Sequence, residues 1–194
     1  MTVPAFEDYA AELPVLASER LRLRPLTEAD VPALFAIFSD PEVTRFWSSP
    51  PLTSEAEAAT LLEEIHEEYA RGELLEWGLE RRDTPGVIGT CSLMALSLPN
   101  RRGELGFALR RDAWGRGYVG EILPVLVAWA FGPLQLHRLE ADVDPRNEGS
   151  IRALERLGFR VEGRLRERWQ VTGEVQDTLI LGLLEPEWRA RGSG

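Results

Sequence analysis

One stretch limits what this chain can fold into more than any other: Glu104-Leu105-Gly106-Phe107-Ala108-Leu109, then Arg110 to Trp114, then Gly115-Arg116-Gly117-Tyr118-Val119-Gly120-Glu121. It reads as a short buried strand, a polar turn, a glycine-rich corner and the mouth of a helix. Glycines there let backbone N–H groups approach a ligand closely, and the helix dipole favours an anion. The helix, about Tyr118 to Phe131, is apolar nearly all round (Ile122, Leu123, Val125, Leu126, Val127, Trp129) and has to be covered on several sides. Pro124 inside it is expected to bend it or end its first segment. The next strand, His137 to Val143, joins the first through this helix, which predicts a parallel pair with a right-handed crossover.

The rest of the chain supplies antiparallel strands and shorter helices. Arg20-Leu21-Arg22-Leu23-Arg24 alternates at period two, a strand with one buried face. Thr27 and Asp30 open a helix whose stripe is Val31, Leu34, Phe35 and Phe38, ending at Asp40-Pro41. The stretch from Arg45 to Thr53 is a loop, because Pro50-Pro51 can continue neither a helix nor a central strand. A second helix runs from a Thr53/Ser54 cap to Arg71-Gly72 and carries Leu61, Leu62, Ile65 and Tyr69 on its apolar stripe. A meander follows: Leu75 to Leu79, Val87 to Leu96, and the strand at Glu104. After the parallel pair come a short helix from Asn147 to Leu157, stopped by Gly158, and a hairpin of Phe159 to Val171 and Val175 to Leu184 about Thr172-Gly173. The reading divides the chain into a loose leader (1–18), docked at most by Phe6 and Tyr9, one domain (19–185), and a tail (186–194).

Composition narrows the function. A length of 194 residues suits one domain with a proper core. A net charge of −10 argues against nucleic acid and suits a cationic partner such as an amine or a basic peptide, although solubility alone accounts for it too. Every basic residue is Arg. Cys91 is the sole cysteine, which excludes an internal disulfide, and no metal-ligand spacing is present, so no metal is expected. No apolar run reaches the roughly 20 residues of a membrane span. The start Met1-Thr2-Val3-Pro4 lacks the marks of a secretory signal, so no membrane and a cytoplasmic location are expected.

Gly115 to Gly120 also satisfies the dinucleotide pattern G-x-G-x-x-G, with Glu140 about 20 residues on. Two features oppose that reading. Arg110 to Trp114 intervene between strand and glycines, and a single βαβ unit flanked by meanders is not a doubly wound sheet.

The order of elements, with Glu104-Leu105-Gly106-Phe107, Trp114-Gly115-Arg116-Gly117-Tyr118, Asn147-Glu148-Gly149-Ser150 and Leu157-Gly158-Phe159, resembles the GNAT superfamily of N-acetyltransferases from about Arg20 to Leu184. Within it the wording is similar to the ribosomal-protein N-terminal (alanine/serine) acetyltransferase branch. The resemblance implies an α/β fold with a mixed, mostly antiparallel sheet of about seven strands and about four helices, with one parallel pair at the cofactor cleft. It implies acetyl-CoA as co-substrate, direct transfer to a primary amine such as a protein N-terminus, and a homodimer of the kind frequent in that branch. A small-molecule amine as acceptor and an inactive CoA-binding module are the alternatives. The superfamily's pyrophosphate motif Q/R-x-x-G-x-G/A falls on Trp114 to Val119: Gly117 matches, Trp114 replaces Gln or Arg, and Val119 replaces the small last residue.

Residue by residue, the resemblance places Phe107, Ala108, Leu109, Trp114, Gly115, Arg116, Gly117, Tyr118, Val119, Gly120 and Asn147 against the cofactor. Amine acetylation needs a base for the ammonium and benefits from an acid for the departing thiolate. Glu104 is the expected base, the alternative being a carboxylate paired with Arg101 or Arg102; Ser150 is the expected acid. The branch's later hairpin acid falls on Trp169, with Glu167 nearby, so that position is a substrate wall here together with Phe46 and Trp47. His66 and His137 are structural or solvent-facing.

Overall fold

Alternating Leu and Arg from Arg20 onward buries Leu21 and Leu23 completely and leaves Arg22 outward. The computed structural model describes residues 13–192. Its strands are β1 (Leu16–Ala17), β2 (Leu21–Pro25), β3 (Leu74–Arg81), β4 (Val87–Ser97), β5 (Arg102–Leu109), β6 (Arg138–Val143), β7 (Arg160–Val171) and β8 (Glu174–Leu184). The helices are α1 (Val31–Phe38), α2 (Pro41–Thr44), α3 (Glu55–Arg71), α4 (Tyr118–Phe131), α5 (Glu148–Leu157) and α6 (Glu185–Gly192). All eight strands form one sheet in the order β1-β2-β3-β4-β5-β6-β8-β7, antiparallel throughout except for β5 and β6.

The sheet has a core on each face. α1 and α3 cover one with Leu34, Ile37, Phe38, Ala58, Leu62 and Ile65. α4 covers the other, where Trp77 and Trp129 meet edge to face at 5.5 Å. α4 is a single element despite Pro124, and its Ile122, Leu126 and Val127 are fully buried. Cys91 is a small core residue.

Local signals explain the boundaries. Ser54 Oγ accepts the Glu57 N–H at the start of α3, and Gly72 ends it in the left-handed region (φ 75°). Thr27 and Asp30 form a capping box before α1.

The mostly antiparallel sheet with one parallel pair is as expected, and its eighth strand arises because Leu16 and Ala17 pair with Leu23 and Arg22. Three expectations need correction. The segment expected to be a loose leader is therefore part of the body from Leu13, which is buried, and Pro14, whose carbonyl accepts the Trp77 indole N–H at 2.8 Å; Phe6 and Tyr9 lie outside the described residues. The expected tail begins as α6, with Glu187 accepting the Leu184 N–H at 3.1 Å. Asp40-Pro41 ends α1 but also opens α2, the Asp40 side chain accepting the Glu42 N–H. No helix among the described residues is long and apolar enough to cross a membrane.

Candidate active site

β5 and β6 run side by side only through the pairs Arg102–Arg138, Gly103–Leu139 and Glu104–Glu140, and then diverge. Two parallel strands that part leave a wedge in the sheet, floored by residues just past the last pair. Glu104 closes the paired region, and Asp142 stands one step further on the same face of β6.

Two clefts open from this wedge. One, of about 560 Å³, is lined by Phe107, Ala108, Leu109, Trp114, Gly115, Val119, Asn147 and Ser150. The other, of about 550 Å³, is lined by Glu104, Gly106, Asp142, Asp144, Trp169, Gln176 and Asp177. Phe46, Trp47, Phe107, Asn147 and Ser150 border both, so the clefts meet along these residues. Trp47 packs edge to face on Phe38 at 5.0 Å, so it anchors its loop and walls the site at once.

The glycine corner is open, left-handed backbone at the mouth of α4. Gly115 (φ 71°) and Gly117 (φ 77°) are left-handed. A Cβ on Gly115 would meet nothing within 4 Å, and one on Gly117 only Arg20 Nη2 at 3.8 Å. No side chain caps α4, so its first-turn N–H groups stay available to a ligand. Glu121, the acid in that turn, is turned aside: its carboxylate accepts Ser18 Oγ (2.7 Å) and the backbone N–H (2.8 Å) and Nε (2.6 Å) of Arg20. The expected cofactor residues divide here. Trp114 lines the cleft with its indole N–H donating to the Leu109 carbonyl at 2.6 Å, whereas Arg116 sits on a flanking hollow with Arg81, Arg110 and Tyr118 and donates to the Asp112 carbonyl. Gly117, Tyr118 and Gly120 shape the corner without lining the cleft.

α5 is the contrasting case. Asn147 Oδ1 accepts the Ser150 N–H at 3.1 Å and caps that helix, placing Ser150 in its first turn at the junction of the clefts. Just before it, Arg146 binds Asp144 (2.7 Å) and Glu174 (2.5 Å) and lies 5.6 Å from the Phe46 ring centre, linking the end of β6 to the start of β8 and to the Phe46 loop. Burial works against the Asp144 charge, but the Arg146 bonds outweigh it and hold that carboxyl below the usual range.

Glu104 is not paired with Arg101 or Arg102: Arg102 binds Glu140 at 2.9 Å and Arg101 donates to the Gln135 carbonyl. Among the described residues the Glu104 carboxylate accepts no hydrogen bond. Burial, then the charges of Asp142 and Glu140, push its carboxyl above the usual range. Asp142 is the residue that sequence reasoning missed. It accepts from Thr178 Oγ1 and from the Trp169 indole N–H (3.4 Å), with Arg168 Nε 3.5 Å away. Alternation in Arg138-Leu139-Glu140-Ala141-Asp142 carried the signal, placing it on the face of Glu140. His66 and His137 lie outside both clefts.

Comparison with known proteins agrees with this architecture. Over 173 residues the chain is 35% identical to the uncharacterized N-acetyltransferase YoaA of Bacillus subtilis, covering 89% of this chain and 98% of that one. It is 29% identical over 143 residues to B. subtilis YdaF, provisionally named a ribosomal N-acetyltransferase, covering 74% and 77%. The fold superposes with a TM-score of 0.77, at 21% identity and 87% and 98% coverage, on spermidine N-acetyltransferase from Vibrio cholerae in complex with CoA and spermine. The family description of the acetyltransferase (GNAT) domain matches residues 20–160, the span that contains the wedge, the glycine corner and the Asn147 cap, and on that match the chain belongs to the GNAT family of acetyl-CoA-dependent N-acetyltransferases.

Proposed function

We propose that this enzyme acetylates the N-terminal amine of a protein substrate, with Glu104 as base and Ser150 as acid. The observation that carries the reading is that Glu104 and Ser150 border one cleft, at its junction with the cleft beside the glycine corner. Acetyl-CoA, when bound, supplies the activated acetyl group as a thioester.

Each step then falls to residues of this chain. The first-turn N–H groups of α4 hold a pyrophosphate at the left-handed glycines. Glu104, with no hydrogen bond to satisfy it, takes the proton from the incoming ammonium directly or through one water. Asp142, beside it, balances the positive charge of the amine before the proton leaves. As the C–N bond forms and the C–S bond breaks, Ser150 passes its hydroxyl hydrogen to the departing thiolate and takes up the second proton of the amine nitrogen, its position fixed by the Asn147 cap.

A protein N-terminus is favoured by the continuation of the acceptor cleft. A further cavity of about 410 Å³ shares Glu68, Met94, Glu104, Asp142 and Trp169 with it and runs along Ala95 and Leu96. Those two residues fall in the bulge between Met94–Glu104 and Ser97–Arg102 and have no partner in the β4–β5 register. Backbone without a strand partner beside an open slot suits an extended peptide. A polyamine is the second reading, supported by the carboxylates Glu68, Glu104 and Asp142 along the same route and by the spermidine enzyme among the structural relatives.

Thiol release with acetyl-CoA separates the two. Peptides with free N-termini are expected to turn over at least tenfold faster, by kcat/KM, than spermidine and spermine. The reverse order would establish the polyamine reading, and no turnover with either panel would overturn both.

A further inference from the structure

The hairpin of β7 and β8 is out of step with itself. Near its base, Gly163, Arg164 and Leu165 oppose Ile180, Leu179 and Thr178. At its tip, Trp169, Gln170 and Val171 oppose Gln176, Val175 and Glu174. Between Leu165 and Trp169 the outer strand advances four residues while the inner strand, from Thr178 to Gln176, advances two.

Both ends of this mismatch have a cause. The tip is fixed by the two-residue turn Thr172-Gly173, with both residues left-handed (φ 49° and 87°), the turn that matches strand twist. The base is fixed by the core, where Leu181 and Leu183 are fully buried and β8 pairs with β6 from Val143–Leu179 to Arg138–Leu184. The surplus residues therefore form a bulge, and Glu167 takes up the strain at φ 54° without being glycine.

Asp177 stands opposite and holds the bulge. Its Oδ1 accepts the Glu167 backbone N–H at 2.8 Å, and its Oδ2 receives Arg164 at 2.6 Å. The consequence lies in the cleft. Were the base register to continue, Glu167 would oppose Gln176; with the bulge, Trp169 does. Gln176 lines the acceptor cleft, so the bulge decides whether an indole or a carboxylate stands beside Asp142 there.

We propose that Asp177 is a positioning residue that selects which β7 side chain walls the acceptor cleft, seating Trp169 and keeping Glu167 out. With Trp169 in place, the indole donates to Asp142 and Arg168 covers it at 5.4 Å. With Glu167 in place, a further carboxylate joins the acids already lining the cleft, Glu104 and Asp142 among them, and the flat wall against which an acceptor chain packs is gone. This rests on the wedge beyond Glu104 being the acceptor site.

The test uses Asp177→Ala, Glu167→Gly and the double variant, in protein labelled with 5-fluorotryptophan, with Trp169→Phe assigning the fluorine resonance of Trp169. Glycine adopts the left-handed conformation without strain, so it should keep the bulge even without Asp177. Glu167→Gly is expected to leave the Trp169 resonance in its wild-type position. Asp177→Ala is expected to move the resonance away from its wild-type position, as the indole leaves Asp142, and to raise the acceptor KM about tenfold, leaving the acetyl-CoA KM unchanged. The double variant should restore both. A direct contact of Asp177 with substrate would not be rescued by a glycine at 167, so failure of the rescue overturns the proposal, as does an unmoved resonance in Asp177→Ala. The resonance is read without turnover, so a wild-type enzyme inactive on every amine would refute the acceptor reading and still leave the register question decided.

Discussion

Asn147 and Ser150 form one unit: the Asn147 side chain accepts the Ser150 backbone N–H at 3.1 Å, so the residue proposed as the acid is held by the cap of its own helix. The two roles separate by mutation. Ser150→Ala removes only a hydroxyl and should lower kcat by about 10²-fold with an unchanged melting temperature. Asn147→Ala removes the cap, at about 1 kcal/mol, and should lower stability and activity together. Steady-state kinetics with thermal melts of both variants checks the distinction.

Glu104 carries a stability cost that follows from its chemistry. Its carboxyl is raised in the folded state, so between the unfolded and folded values the native protein holds a proton that the unfolded chain has released. Stability therefore falls as pH rises through that window and stays reduced above it. Glu104→Gln should lose most of its acetyl transfer, about 10²-fold or more, while melting higher than wild type at pH 8 and the same at pH 4. The acidic limb of wild-type kcat/KM should lie above the usual carboxylate range and vanish in the variant.

Glu76 allows the same sign to be tested at a carboxylate with no proposed part in the reaction. Burial pushes its carboxyl up to about 7, against a hydrogen bond with Thr90 that pulls it down and with a further push from Glu68. Glu76→Gln keeps a partner for Thr90 and should add on the order of 2–3 kcal/mol at pH 8, with little change at pH 5 where wild-type Glu76 is already neutral. Urea denaturation at the two pH values measures it.

Gly117 tests the anion corner. At φ 77° any side chain is strained, so Gly117→Ala should cost about 1 kcal/mol in stability and misplace the first N–H groups of α4. Calorimetry should show CoA binding weakened about tenfold or more.

The fold was legible where local signals and periodicity agree. The Leu/Arg alternation of β2, the Ser54 and Asn147 caps and the glycines after α3 and α5 locate their elements within a residue or two. The cleft beside the glycine corner was legible for the same reason, since that corner is a local strand-turn-helix feature. The second cleft was legible in part: Glu104, Phe46, Trp47 and Trp169 were read as candidates and line it, but Asp142 was not. Alternation along β6 places Asp142 on the face of Glu140, but that it borders a cleft follows from β5 and β6 parting beyond Glu104, a long-range event that periodicity does not report. Trp169 reaches the cleft through a bulge at Glu167, where neither glycine nor proline announces a break. The pairing of Leu16 and Ala17 with β2 was hidden because two residues are too few for a period.

The uncapped N-terminus of α4 has a consequence for the life of the protein. First-turn donors without a side-chain cap are left to water or to a ligand, so a ligand that takes them, as proposed for CoA, adds its binding energy to the fold. Whatever binds there and not to the unfolded chain adds RT ln(1 + [L]/Kd) to folding, about 2.7 kcal/mol at a hundredfold excess over Kd. Resistance to unfolding and to proteolysis would then track the supply of CoA and its acetyl ester, making the abundance of the enzyme, as well as its rate, a readout of the acetyl donor.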